Sequence, residues 1–397
     1  MRASPLIAAL GLGTTLALGA PSADVPVETR SLSEAERILL DLNAQATGAL
    51  EESGSLDKRA KGCSIFNASV RRDWALMTKP ERRDYIKAAK CLYNAPSLLH
   101  QKDPVTYPGL RSRYDDFVAV HLEQTLTIHG TGNFLTWHRY YVWSYEQALR
   151  NECGYKGYQP YWNWFAHVDD PTKSPVFDGS DTSLSGNGDF FEHNGTLTAI
   201  GFIHIPSGDG GGCVTSGPFA DVRINIGPVF PEMDTMVPNP GGPMAPNPRC
   251  LRRDLSSFVL SNWMTAANLL NVTVGDASKS IGAMQTELQG RFPDGFLGMH
   301  ASGHAAVGGE ASDIFTSPND PSFFLHHAMV DRVYWIWQVL HPKEAKEIAG
   351  TITINNNPPS RDALKNDTLE MGPNAVTRPI EQLLDTLGGT PLCYVYL

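Results

Sequence analysis

Apolar residues recur at intervals of three and four in several stretches of the chain, the pattern of helices with one buried face. The stretch from Phe134 to Asn151 differs, because apolar and aromatic residues fall nearly all round it, which predicts a buried central helix. A proline in the first turn opens another helix at Lys79. The predicted helices are, in chain order, 31–50, 70–93 in two parts, 112–127, 134–151, 254–267, 278–289 and 321–340.

Between residues 168 and 250 this helical pattern stops. Glycine, proline, aspartate and serine dominate there, with runs such as Ser-Gly-Asp-Gly-Gly-Gly at 207–212. We expect long loops and a few short strands laid over the core, and no separate domain. The tail, 342–397, is expected to be loop plus strand. The pattern therefore predicts a mainly α protein.

The N-terminal region has the features of an exported protein. Residues 1–20 have a basic start at Arg2, an apolar run and a small-residue exit, which together predict a signal peptide. Residues 21–59 predict a pro-segment that ends at the pair Lys58-Arg59, although such a pair also occurs on ordinary surfaces. The catalytic domain would then be 60–397. Four sequons, at Asn67, Asn194, Asn271 and Asn366, agree with a secreted, extracellular glycoprotein.

The six cysteines support the same compartment. An even number in an exported chain suggests three disulfide bonds, for which sequence alone leaves 15 pairings open. We predict one of them, Cys213 with Cys250, which would close part of the loop-rich segment. No two cysteines form a C-x-x-C motif, which argues against a thiolate metal site.

Charge and hydropathy exclude two classes of partner. The net charge is −10 and no basic run occurs, so the chain is not expected to bind nucleic acid. The apolar run in the signal is too short to cross a bilayer and no later stretch is long enough, so no membrane partner is expected after signal removal.

Two groups of histidines are candidate metal ligands. His300 and His304 are four apart, so a helix would place both on one face, and a third imidazole would come from His326 or His327. These two neighbours point about 100° apart around a helix, so only one can face a metal. An earlier trio, with a Gly130/Gly132 break in its middle, would come from two helices and a loop: His121, His129 and His138.

Both groups offer imidazole alone, which suits zinc or copper, whereas calcium and magnesium prefer oxygen ligands. One trio by itself would also fit a zinc site of the carbonic anhydrase type. Two trios in one helical bundle favour a coupled pair of copper ions. Isolated histidines are more often ordinary core or surface residues, and we leave five in that class: His100, His167, His193, His204 and His341.

These motifs resemble those of the type-3 copper family, which contains the tyrosinases, catechol oxidases and molluscan haemocyanins. After His129 come four residues and then Phe134-Leu135-Thr136-Trp137-His138-Arg139, and the second motif runs from Asp320-Pro321 to His327 and Asp331. The resemblance covers about 63–397 and implies a central four-helix bundle around two copper ions. It implies copper A on His121, His129 and His138, and copper B on His300, His304 and His327, which selects His327 over His326.

Other positions carry expectations through the same resemblance. Many fungal and plant members have a cysteine two residues before the second copper-A histidine, but here Thr127 stands there. Members that hydroxylate monophenols often have asparagine after the first copper-B ligand and a glutamate upstream, but here Ala301 follows His300. Four residues are candidates for the substrate pocket: Ala301, Ala305, Ile314 and Phe315.

The resemblance thus implies an oxidase of the catechol oxidase or polyphenol oxidase type, similar to short secreted fungal members. It would convert o-diphenols to o-quinones and reduce dioxygen to water, with no catalytic side chain beyond the copper ligands. The expected partners are a small phenol and O2. The alternatives are a tyrosinase or an o-aminophenol oxidase and, as a more distant alternative, a haemocyanin-like O2 carrier. Arg139 and Asp331 lie close enough in sequence to support the ligands, or they form a structural ion pair.

Overall fold

The computed structural model describes residues 31–52, 62–198 and 201–397, so the predicted signal peptide and the Lys58-Arg59 pair lie outside the described residues. The first described helix starts with a capping box, since Ser33 Oγ accepts from Glu36 N and the Glu36 carboxylate accepts from Ser33 N. The helices are α1 Glu34–Glu52, α2 Lys79–Asn94, α3 Leu98–Lys102, α4 Arg113–Ile128, α5 Phe134–Asn151, α6 Ser257–Trp263, α7 Ala266–Thr273, α8 Ile281–Gln289, α9 Gly298–Val307 and α10 Phe323–Leu340.

The strands are short and form two-stranded pairs. β1 with β10 is parallel, and β2 with β5, β3 with β4, β6 with β7 and β8 with β9 are antiparallel. Their bounds are β1 Ser69–Arg71, β2 Gly188–Phe190, β3 Thr196–Thr198, β4 Ile203–Ile205, β5 Gly211–Val214, β6 Arg223–Ile224, β7 Arg249–Cys250, β8 Thr368–Leu369, β9 Arg378–Pro379 and β10 Tyr394–Tyr396.

Four helices, α4, α5, α9 and α10, surround the predicted metal ligands, as expected. Every residue of α10 from Phe323 to Gln338 is buried, as are most of those of α5, so these two helices form the centre of the molecule. Their contact is aromatic: Phe324 stacks on Tyr145 with ring centroids 3.5 Å apart, and on Tyr141 at 5.5 Å. Among the described helices, none is long and apolar enough to cross a membrane.

The predicted helix at 254–267 is instead two short helices, α6 and α7. Ser256 Oγ accepts from Val259 N at the start of α6, and Thr265 Oγ1 accepts from Asn268 N at the start of α7. Two cap residues in one periodic stretch therefore produce two helices. The loop-rich segment has short strands, as predicted, and the predicted Cys213–Cys250 bond is present beside Cys63–Cys393 and Cys91–Cys153.

Helix α1 belongs to the same compact unit as the rest of the described chain. It packs on α7 and α10 through three buried residues, Leu39, Leu42 and Ala46. Its Asn43 joins it to the core, because Asn43 Oδ1 accepts from the buried Arg332 and Asn43 Nδ2 donates to the carbonyl oxygen of Tyr396. This helix lies within the segment predicted to be a pro-segment.

Candidate metal centre

The first histidine group comes from two helices and the loop between them, as the sequence predicts. His121 lies on α4, His129 caps the end of that helix, and His138 lies one turn into α5. One ring nitrogen from each lies within 4.8 Å of the others. The break after His129 needs glycine, because Gly130 has φ +58° and a Cβ there would lie 2.5 Å from Asn355 Oδ1.

Backbone carbonyl groups hold all three rings of this group. His121 Nδ1 lies 3.0 Å from the carbonyl oxygen of Phe315, and His129 Nδ1 and His138 Nδ1 lie 3.0 and 2.9 Å from those of Thr125 and Phe134. Each Nδ1 therefore carries the proton and each Nε2 keeps its lone pair. The buried Nε2 atoms of His121 and His138 have no hydrogen-bond partner among the described residues. Orphaned acceptors of this kind fit a bound metal ion.

The second group converges more tightly. His300 and His304 lie one turn apart on α9, and His327 lies on α10. His304 Nε2 lies 3.3 Å from His300 Nε2 and 3.1 Å from His327 Nε2, while His304 Nδ1 contacts the carbonyl oxygen of Ala311 at 3.1 Å. The three Nε2 atoms therefore meet at one point, where a single metal ion can contact all of them.

The two groups face each other. The rings of His138 and His327 are stacked with centroids 4.4 Å apart and an interplanar angle of 13°. The rings of His129 and His300 lie 6.2 Å apart. These contacts place the two candidate sites side by side, which a dinuclear centre requires.

His326 also lies beside the second group, so four imidazoles cluster there. Its ring contacts Trp164 at 5.2 Å and Trp162 at 6.4 Å, and within its own group it contacts His304 at 4.5 Å. Unlike His327, it has no ring contact with the first group. It also fills the space beside Gly303, where a Cβ would lie 2.0 Å from His326 Cε1. His326 therefore faces the tryptophans.

Burial keeps the imidazoles of both groups neutral. It lowers the pKa of His129 to about 4 and that of His304 to about 3. The same desolvation lowers the pKa of the other four well below its usual value, with like-charge repulsion between the rings adding to the effect (His121, His138, His300 and His327). Neutral imidazole is the form that binds a metal, and an all-imidazole donor set suits copper.

Arg139 and Asp331 bond to each other, with Arg139 Nε 2.6 Å from Asp331 Oδ1. Asp331 also accepts from the hydroxyl groups of Tyr394 and Tyr396, at 2.5 and 2.7 Å, and from Arg71 at 3.4 Å. Desolvation raises the pKa of this carboxyl, but Arg139 and Arg71 outweigh it and lower the pKa below its usual value. In the described part of the chain neither residue hydrogen-bonds to an imidazole, so the pair connects helices.

The four candidate pocket residues differ in exposure. Ile314 is 37% exposed and Phe315 and Ala301 are partly exposed, whereas Ala305 is 4% exposed. The buried methyl group of Ala305 is therefore part of the packing around α9. Sequence reasoning missed the carbonyl of Phe315, because a backbone role leaves no trace in residue type.

A helical bundle that brings two all-imidazole triads face to face defines the type-3 dinuclear copper class of protein. The family model described as the common central domain of tyrosinase matches residues 111–340. The chain belongs to the tyrosinase family, and its cofactor is accordingly a binuclear copper centre.

Known relatives agree with this assignment. The tyrosinase-like protein orsC of Emericella nidulans is 42% identical over 314 residues, 75% of this chain and 82% of that protein. Tyrosinase P of Aspergillus terreus is 38% identical over 341 residues, 82% of this chain and 91% of that protein. A crystallographic variant of the polyphenol oxidase of Thermothelomyces thermophila is 37% identical with a TM-score of 0.83, covering 91% of this chain and 98% of that one. The protein is thus a copper oxidoreductase of the tyrosinase and polyphenol oxidase type.

Proposed function

We propose that this oxidase converts o-diphenols to o-quinones, with His121, His129 and His138 holding one copper ion and His300, His304 and His327 the other. Two buried Nε2 atoms of the first group that have no partner among the described residues, and the three Nε2 atoms that meet in the second group, support these ligands. His304 is the most exposed of the six, so a phenol would approach from its side.

The proposed reaction balances with no side-chain nucleophile. Each diphenol loses two electrons and two protons to become a quinone, and two diphenols together reduce one O2 to two water molecules. A bound pair of copper ions supplies this two-electron chemistry. The protein's part is to hold the six imidazoles in place, four of them by backbone carbonyl groups, and to bury the centre.

The residues next to and just before His300 in the sequence support the proposal that diphenols are preferred. Hydroxylation of a monophenol needs a base to remove the phenolic proton, and a diphenol oxidase does not need that step. Ala301 offers only a methyl group, and the Glu287 carboxylate contacts Arg291 Nε at 2.9 Å and Asn271 Nδ2 at 3.1 Å. Gln289 Oε1 accepts from Gly130 N at 2.9 Å. These two polar side chains, which precede His300 in the sequence, are therefore already hydrogen-bonded to other groups.

Paired oxygen-uptake measurements test this proposal. We expect the copper-loaded protein to consume O2 at once with 4-methylcatechol, and to respond to 4-methylphenol slowly and only after a lag. His304→Ala should abolish uptake with both compounds, which controls for free copper. Monophenol turnover that starts without a lag and matches the diphenol rate would instead identify a tyrosinase, which the name of the Aspergillus terreus relative makes the second candidate.

We propose in addition that the protein is exported, with residues 1–20 as its signal peptide and 60–397 as its catalytic domain. The support is that all six cysteines pair in three disulfide bonds, which persist in oxidising compartments. N-terminal sequencing of protein from culture medium would test both boundaries. Recovery of the protein only inside the cell, with residue 2 still present, would contradict the proposal.

A further inference from the structure

A fully buried carboxylate lies two residues before Phe315, whose carbonyl oxygen contacts His121 Nδ1. Asp313 is 0% exposed, and its carboxylate accepts four backbone N–H groups. Oδ2 accepts from Val229 at 2.5 Å and Phe230 at 2.9 Å. Oδ1 accepts from Phe315 at 2.8 Å and Thr316 at 3.3 Å. Burying a charge is unfavourable unless such bonds replace its water, so these four N–H groups hold this side chain firmly.

These bonds join two segments that are far apart in sequence, 226–230 and 313–316. The segments are also closely packed: Gly227 has φ +65° and a Cβ on it would lie 2.7 Å from Thr316 Cγ2. Asn319 Nδ2 donates to the carbonyl oxygen of Ile226 at 3.2 Å, next to this contact. The loop that ends at Phe230 is therefore fixed against the turn that begins at Asp313.

The same turn reaches the metal centre through its backbone. The carbonyl oxygen of Phe315 is the group that holds His121 Nδ1, at 3.0 Å. Between Asp313 and Phe315 lies Ile314, whose side chain is 37% exposed. One turn thus presents a side chain outward and a carbonyl group inward, and its shape depends on the Asp313 carboxylate.

We propose that Asp313 is a positioning residue for the first copper site, acting through the Phe315 carbonyl that fixes the tautomer and direction of His121. This inference rests on the proposed role of His121 as a ligand. Loss of the carboxylate would free the turn, and His121 would lose the acceptor that keeps its Nε2 lone pair directed at the site. Loss of such an outer partner typically weakens metal binding about 10–100-fold.

The test is copper binding by Asp313→Asn, a substitution that keeps the size but turns an NH2 group toward backbone N–H groups. Asp116→Asn is the matched control. Asp116 is also 0% exposed and accepts from Leu98 N at 2.8 Å and Leu99 N at 3.2 Å, and also from Ser97 Oγ and Arg113 Nη1. It lies on α4, as His121 does, but among the described residues its carboxylate bonds to no group that holds an imidazole. Both variants should lower the unfolding temperature.

Copper content and electron paramagnetic resonance then separate positioning from general stability. A coupled pair of cupric ions gives no ordinary resonance signal, whereas an isolated cupric ion does. We expect wild type and Asp116→Asn to bind two copper ions per chain and to give no signal. Asp313→Asn should bind one copper tightly and the second about 10–100-fold more weakly, with the signal of an isolated ion.

Three other results would contradict the inference or the proposed function. Two tightly bound, coupled copper ions in Asp313→Asn would overturn the inference and leave the proposed function intact. A wild-type protein that binds fewer than two would overturn both. If Asp313→Asn is insoluble, Asp313→Glu keeps the charge but displaces the turn by one methylene group, and the same loss is expected from it. Unchanged copper binding by that soluble variant would equally refute the positioning role.

Discussion

At the scale of single residues, backbone carbonyl groups set the geometry of the centre. Four of the six proposed ligands have Nδ1 against a carbonyl oxygen. Two of these carbonyl groups belong to the residue four positions before the histidine, and the other two belong to the segment 311–315. Such contacts follow from backbone shape, which residue type does not reveal. The identities of the six histidines could be read from spacing and motif, whereas the groups that aim them could not.

Gly303 leaves space for the ring of His326, a role that the sequence alone does not indicate. Alanine there would place its Cβ 2.0 Å from His326 Cε1 and 2.2 Å from His326 Nδ1, so that ring would have to move. We expect Gly303→Ala to lower the free energy of unfolding by about 1–3 kcal/mol, as overpacking does. Urea unfolding of the copper-free protein measures this without a contribution from bound metal.

Gly48 provides the matched control for that substitution. It is also a glycine inside a helix, but a Cβ there would have no atom within 4 Å. Gly48→Ala should therefore stabilise the protein by about 0.5–1 kcal/mol, since alanine is the better helix former. Equal effects of the two substitutions would show that the space beside His326 does not matter.

At the scale of elements, helices with a strong pattern were predicted closely. Phe134–Asn151 was predicted residue for residue, and Arg113–Ile128 and Phe323–Leu340 lie within two residues of their predicted limits. The pairings of the strands could not be predicted, because each strand has only two to four residues, too few to show a period. The same is true of Cys63–Cys393, which spans 330 residues.

Helix α1 lies in the predicted pro-segment, but it packs against the core as a permanent part of the fold would. The match to the Thermothelomyces polyphenol oxidase covers 91% of this chain. Residues 60–397 are 338 of its 397 residues, or about 85%, so part of the match lies before Ala60. If the chain is cut after Arg59, we therefore expect α1 to stay bound to α7 and α10.

Leucine substitutions on the two faces of α1 test this role. Leu42 is 2% exposed and Leu40 is 51% exposed. Leu42→Ala should destabilise the full chain by about 2–5 kcal/mol, because it leaves a cavity against the core. Leu40→Ala should change the free energy of unfolding by no more than about 0.5 kcal/mol. If both leave the free energy of unfolding unchanged, as measured by urea unfolding, α1 contributes nothing to the stability of the full chain.

At the scale of the whole molecule, one carboxylate connects strands β1 and β10 to two of the helices that carry the metal ligands. Asp331 lies one turn after His327 and bonds to Arg139, which follows His138. It also bonds to Arg71 on β1 and to Tyr394 and Tyr396 on β10, two strands that pair with each other. The attachment of the β1–β10 pair to the core and the alignment of α5 with α10 therefore depend on the same buried carboxylate.

The central claim is that two imidazole triads hold a close pair of copper ions. X-ray absorption at the copper edge of the copper-loaded protein tests it most directly. We predict two copper ions per chain, a first shell of nitrogen and oxygen atoms without sulfur, and a copper–copper distance of about 3.5–4 Å. A single bound ion, a sulfur ligand, or two copper ions too far apart to scatter from each other would contradict the claim.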